Sequence, residues 1–114
     1  MPWGLKRFHK TRDLHYLTFT CYHRAAFLNT PEARDVFEET LERVRGWYAL
    51  RITGYVVMPE HVHLLVSEPE RDQLATAIQM LKQVTARKLS GITAGRPFWQ
   101  KRYYDFNVWS RQKR

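Results

Sequence analysis

The stretch MPEHVHLLV, Met58 to Val66, places two histidines two residues apart inside an apolar run. Histidine is the side chain most ready to move a proton or bind a metal near neutral pH. On a strand, residues i and i+2 share a face. His61, His63 and Leu65 therefore face one way, and Val62, Leu64 and Val66 the other. The second set is uniformly aliphatic and belongs against a hydrophobic layer. The histidines then lie on the opposite, open face, with Cβ atoms about 7 Å apart. Two imidazoles at that spacing can converge on one metal ion, with metal–nitrogen bonds of about 2 Å. A divalent ion held there would act as a Lewis acid on a scissile phosphodiester. The pair also reads as two ordinary surface histidines. Its position at the centre of an apolar hairpin, where idle polar groups cost free energy, weighs against that. Two histidines do not complete a metal site. His15 and His23 are the other candidate ligands, and strand parity alone places neither. Glu60, just before the pair, is either a partner that orients a histidine or a simple turn residue.

The elements that must position this pair can be read from the chain on either side. Residues 14–22, LHYLTFTCY, are aromatic and β-branched and predict a strand. Thr30 and Pro31 signal a helix start, as N-cap and first helical residue. From there to about Ala49, Val36, Phe37, Leu41, Val44 and Tyr48 recur at helical spacing, with Glu39 and Arg43 as an i,i+4 pair on the other face. RITGYVVM (51–58) and HVHLLVS (61–67) read as two strands broken at Pro59, which has no N–H for a ladder. Strands joined so tightly make an antiparallel hairpin. Leu74, Ile78, Leu81, Thr85 and Leu89 form a second helical stripe, with Gly91 as its C-terminal stop. A fourth strand is expected near Tyr103 to Trp109. The order β-α-β-β-α-β is that of a split βαβ, ferredoxin-like α+β domain, with both helices on one face of an antiparallel sheet. The other face is left open, as in many nucleic-acid platforms.

The bulk composition agrees with one compact domain. The 114 residues are 44% hydrophobic and 14% aromatic, enough to build a core. No apolar run reaches the roughly 18 residues of a membrane span, and MPWGLKRFHK has no signal-peptide core. The single cysteine, Cys21, excludes an internal disulfide and reads as a buried small hydrophobe. A cytoplasmic setting is expected. Lysine and arginine number 19 against 11 acids, a net charge of +8. A small domain this basic commonly meets a polyanion, most often nucleic acid. The excess sits at the two ends, at Lys6, Arg7, Lys10 and Arg12, then at Arg96, Lys101, Arg102, Arg111, Lys113 and Arg114. Lys6, Arg7, Arg96, Lys101 and Arg102 are candidate phosphate contacts, and Trp99 is a candidate base-stacking side chain. For each the plain alternative is solvated surface or, for Trp99 and Trp109, core packing. Lys82 and Arg87 lie on the polar side of the second helix and read as solvent-exposed.

The segment GYVVMPEHVHLLVSEP resembles the HUH signature (His, hydrophobic, His) of the single-tyrosine transposases, in particular the REP-associated tyrosine transposases. HYLTFTCYHRAAFL is similar to that family's first strand and its extension. LKQ (81–83) is similar to its second helix, and PFWQKRYYDFNVWS to the aromatic segment leading into its last strand. The likeness covers about Leu5 to Ser110. It implies cutting and rejoining of single-stranded DNA beside a hairpin, through a 5′-phosphotyrosine intermediate, with Mg2+ or Mn2+ held by His61 and His63.

The chain departs from that family in one respect. The family's nucleophilic tyrosine follows the YYDFNV strand on a helix, and that helix, or the one from a neighbour in a homodimer, completes the metal site. No residue of this chain maps onto the nucleophile, which is expected beyond Arg114. Tyr103 and Tyr104 are weak fallbacks, and Tyr16, Tyr22, Tyr48 and Tyr55 read as packing residues. A single HUH-type domain over residues 1–114, without the tyrosine helix, is the resulting expectation, with apolar residues exposed on the histidine face. Two other functions share part of the pattern. A non-catalytic binder of single-stranded or hairpin nucleic acid needs the charge, sheet and aromatics but no metal. A metal-dependent phosphoesterase using activated water needs further ligands, and no convincing set is present.

Overall fold

A computed structural model of the chain describes residues 14–102 and the strand Tyr104–Asn107. Lys6, Arg7, Lys10, Arg12, Tyr103, Trp109, Arg111, Lys113 and Arg114 lie outside the described residues.

Four strands and two helices alternate as expected: β1 (Leu14–Thr20), α1 (Pro31–Tyr48), β2 (Ile52–Val57), β3 (His61–Ser67), α2 (Leu74–Lys88) and β4 (Tyr104–Asn107). The sheet order is β2-β3-β1-β4, and every neighbouring pair is antiparallel. β3 thus lies between β1 and β2, which the first helix connects. This is the split βαβ, an α+β arrangement of the ferredoxin-like kind.

Strand alternation decides which residues form the core. Leu17 and Phe19 of β1 and Val62, Leu64 and Val66 of β3 are buried. They meet Phe37, Leu41 and Val44 from α1 and Ala77, Ile78 and Leu81 from α2. Each such large side chain contributes about 1.5–3 kcal/mol on burial. Because the aliphatic side chains of β3 take the helix-covered face, His61 and His63 must take the other.

Local chemistry sets the element ends. Thr30, in an extended conformation, accepts the Ala33 N–H on its hydroxyl at 3.1 Å, and Pro31 occupies the first turn. α1 ends at Ala49, which is left-handed (φ 53°, ψ 50°) and donates its N–H to Arg45 O.

Three details differ from the expectation. β1 stops at Thr20, because Cys21 bridges to Trp99 and the chain then turns through Tyr22–Arg24, with His23 and Arg24 at positive φ. α2 stops at Lys88, capped by Leu89; Gly91 falls in the short turn Ser90–Ile92, and the left-handed glycine is Gly95 (φ 84°). On α1 the ion pair joins Glu42 to Arg45 rather than Glu39 to Arg43.

Candidate metal and nucleic-acid site

The β2–β3 turn fixes where the histidines start. Met58 N–H donates to His61 O at 2.8 Å and closes the hairpin. Two more bonds hold the turn from outside: Cys21 N–H donates to Glu60 O at 2.8 Å, and Leu28 N–H to Pro59 O at 2.9 Å. Pro59 and Glu60 are therefore anchored by their carbonyls, which suits a proline that has no N–H to give.

Register then aligns the neighbours. Thr20 pairs with His61, Thr18 with His63 and Tyr16 with Leu65 across β1 and β3, and Val56 pairs with His63 across β2 and β3. The open face around His63 is thus Tyr16, Thr18 and Val56. Tyr16 is 36% exposed and Val56 52% exposed, so apolar surface is uncovered there among the described residues, as expected.

The two imidazole rings stand edge to face, their centroids 4.7 Å apart and their planes at 86°. The His63 ring stacks on Tyr16 at 5.6 Å with planes 8° apart. His63 Nδ1 lies 2.7 Å from the Tyr16 hydroxyl and 3.1 Å from that of Thr18. Partial burial lowers the His63 pKa, and the neighbouring His61 lowers it further. Both effects favour the neutral imidazole, which is the form that binds metals. His61 Nδ1 is buried and has no hydrogen-bond partner, with the Glu60 carboxylate 3.8 Å away. Glu60 also approaches Arg24 at 3.6 Å.

These observations fit a divalent ion in part. The two adjoining imidazoles are a donor pair: the His63 pKa is lowered, and the buried His61 Nδ1 has no hydrogen-bond partner. No group of three His, Cys, Asp or Glu side chains able to hold a metal occurs among the described residues. A third ligand is therefore not found there. His15 does not join them: it lies on the helix side of β1, buried, with Nε2 2.5 Å from the Glu68 carboxylate. His23 is exposed in the turn after β1 and packs on Tyr22, with ring centroids 4.1 Å apart.

The candidate DNA residues separate into two groups. Arg96, Lys101 and Arg102 are exposed. Arg96 is steadied by an Nε–H bond to Thr93 O and by the Phe27 ring, 5.6 Å from its guanidinium. Trp99 is only 8% exposed. Its ring packs against Phe19, Phe37 and Phe98, and its indole N–H donates to Lys82 O at 3.0 Å. It is a core residue whose edge borders a cleft of about 580 Å³ between α2 and the 97–101 segment. Lys82 is not the solvent-exposed lysine expected. It is half-buried, its ammonium donates to Gln100 O at 3.1 Å, and burial lowers its pKa. The backbone of Tyr104 pairs with Thr18.

Sequence reasoning missed Tyr16 and Thr18. The parity of β1 put both on one face, but only the β1–β3 register brings them to His63.

The sequence profile of a family described as "Transposase IS200 like" matches residues 10–113. No curated protein matches the sequence. Among solved structures, the chain is similar to a REP-associated tyrosine transposase bound to a REP hairpin, with a TM-score of 0.70 at 17% identity. That match covers 86% of this chain and 57% of the other, so this chain spans little more than half of that protein. It is equally similar in fold to a candidate transposase from Deinococcus radiodurans, with a TM-score of 0.70, 21% identity, and 88% and 83% of the two chains covered.

Proposed function

The chain belongs to the IS200-like transposase family, and from that premise we propose that it cuts and rejoins single-stranded DNA beside a hairpin, with His61 and His63 as two ligands of a Mg2+ or Mn2+ ion. The observation that carries this reading is the pair of imidazoles on the open sheet face, edge to face at 4.7 Å. The net charge of +8 and the exposed Arg96, Lys101 and Arg102 favour a phosphate backbone as partner. The solved relative bound to a REP hairpin favours hairpin DNA in particular.

In this reading His61 and His63 are the residues that hold the ion. When bound, the ion supplies Lewis acidity to the phosphate at the cut. The chain's own groups do the rest. The basic residues bind and orient the strand, and the sheet fixes both histidines through the anchored Pro59–Glu60 turn. Cleavage is covalent: a tyrosine oxygen attacks phosphorus, the 5′-phosphotyrosine forms, and the 3′-hydroxyl leaves with the proton balance completed by solvent. Rejoining reverses the step with a new 3′-hydroxyl. We assign the nucleophile and the third ligand to residues outside those described, on the tyrosine segment after the last strand or on that of a second copy. Tyr103 and Tyr104 are not assigned this role.

A second reading, a non-catalytic binder of single-stranded or hairpin nucleic acid, is favoured by one observation: the described residues supply no third ligand. A denaturing gel separates the two. This chain, and a version carrying the family's tyrosine segment after Arg114, are mixed with labelled hairpin-bearing single-stranded DNA and Mn2+. The transposase reading expects a covalent protein–DNA band that needs Mn2+, His61 and His63. Hairpin binding with no such band in either version, unaltered by His61→Ala or His63→Ala, supports the binder instead.

A further inference from the structure

We infer that Tyr16 is a positioning residue for His63: its hydroxyl oxygen accepts the Nδ1–H of the imidazole and leaves the Nε2 lone pair for a metal ion. This deepens the proposed function and rests on its reading of His63 as a ligand.

Three observations carry it. The Tyr16 hydroxyl lies 2.7 Å from His63 Nδ1, within hydrogen-bond distance. Thr18 offers a second oxygen to the same nitrogen at 3.1 Å. The rings of Tyr16 and His63 are nearly parallel, 8° apart, so stacking and hydrogen bond fix the imidazole about both of its side-chain torsions.

A neutral imidazole carries one hydrogen, and the nitrogen that bears it is set by its partners. As an acceptor, Nδ1 has one lone pair and can satisfy only one of the two hydroxyls. As a donor, it can share its hydrogen between both oxygens, while each hydroxyl hydrogen turns to solvent. Tyr16 is exposed enough for that. His63 Nε2 makes no hydrogen bond to a described residue, so nothing else there selects the other tautomer. Metal-binding histidines characteristically donate their second N–H to an oxygen that orients the ring. Here two hydroxyls on the adjacent strand would fill the place a carboxylate or carbonyl often takes.

The arrangement follows from register. Thr18 is the direct cross-strand partner of His63, and Tyr16 lies two residues along on the same face. A long phenol reaches diagonally back to the imidazole, within the reach of such cross-strand pairs.

The test is tautomer-resolved NMR of the metal-free full chain labelled with 15N-histidine, paired with Mn2+ titration followed by electron paramagnetic resonance. Wild type, Tyr16→Phe, Thr18→Val and the double variant are compared. Tyr16→Phe keeps the stacked ring and removes only the oxygen, so a preserved amide spectrum is expected. The wild-type His63 is expected as the Nδ1–H tautomer. Tyr16→Phe should move it toward Nε2–H and weaken Mn2+ binding about 10-fold, and the double variant up to about 100-fold. A wild-type His63 protonated on Nε2, or a Tyr16→Phe chain with unchanged tautomer and Mn2+ affinity, would overturn the inference. A wild type that shows the Nδ1–H tautomer but binds no Mn2+, by itself or with the tyrosine segment attached after Arg114, would overturn the metal reading while upholding the Tyr16 assignment.

Discussion

His63 and Tyr16 stack with their rings 8° apart and share a 2.7 Å contact between imidazole nitrogen and phenol oxygen, two strands apart in sequence and adjacent in the sheet. With His61 perpendicular beside them and Thr18 bonded to the same imidazole nitrogen, this makes a small polar cluster on the open sheet face.

Glu60 tests how the other histidine is held. Its carboxylate is 3.8 Å from His61 Nδ1, beyond hydrogen-bond range, and is shared with Arg24. Glu60→Gln should therefore weaken Mn2+ binding less than Tyr16→Phe does, by roughly 10-fold or less. A larger loss, measured by the same titration, would mean that Glu60 itself is a ligand.

How far the sequence reached can be judged at this site. Alternation of Val62, Leu64 and Val66 was enough to put His61 and His63 on the open face, because a strand buried on one side obeys a two-residue period. Thr30 and Pro31 sufficed for the start of α1, since a cap is a local hydrogen bond. His15, Tyr16 and Thr18 were not legible. Their roles depend on which strand lies beside β1 and in what register, a long-range choice with no local signal. Trp99 and Lys82 failed for a related reason. The Trp99 N–H and the Lys82 ammonium bond to backbone carbonyls of each other's segments, and no spacing in the chain announces that contact.

Cys21 offers a probe of the hairpin turn. It is buried, and burial pushes its thiol up to about 11. In the native protein at pH 8 it should react with a thiol reagent at least about 100-fold more slowly than in urea, since the thiolate is the nucleophile. The pKa is raised in the folded state, so the associated stability is fully present below about pH 9 and is lost as pH rises through about 11. Urea midpoints between pH 8 and 11 should fall by more for wild type than for Cys21→Ala.

Ala49 closes α1 in the left-handed region, at φ 53° and ψ 50°. A side chain there costs about 1 kcal/mol, which glycine avoids at some expense in unfolded-state entropy. Ala49→Gly should raise stability by about 0.5 kcal/mol in urea unfolding. A fall of similar size would show that the Ala49 methyl packs usefully.

Arg96, Lys101 and Arg102 should act as phosphate contacts. Replacing any one by alanine is expected to weaken hairpin DNA binding similarly across sequences. It should also reduce the slope of log affinity against log salt by about 0.7–0.9. An unchanged slope at a given position removes that residue from the interface.

The most direct measurement is Mn2+ binding to the wild-type chain, His61→Ala and His63→Ala. The account predicts a site in the wild type that weakens at least about 10-fold in each variant, with hairpin DNA affinity in EDTA nearly unchanged. Variants that bind Mn2+ as well as the wild type does, or a wild type that binds none even when the tyrosine segment is attached after Arg114, would contradict the metal role of the pair.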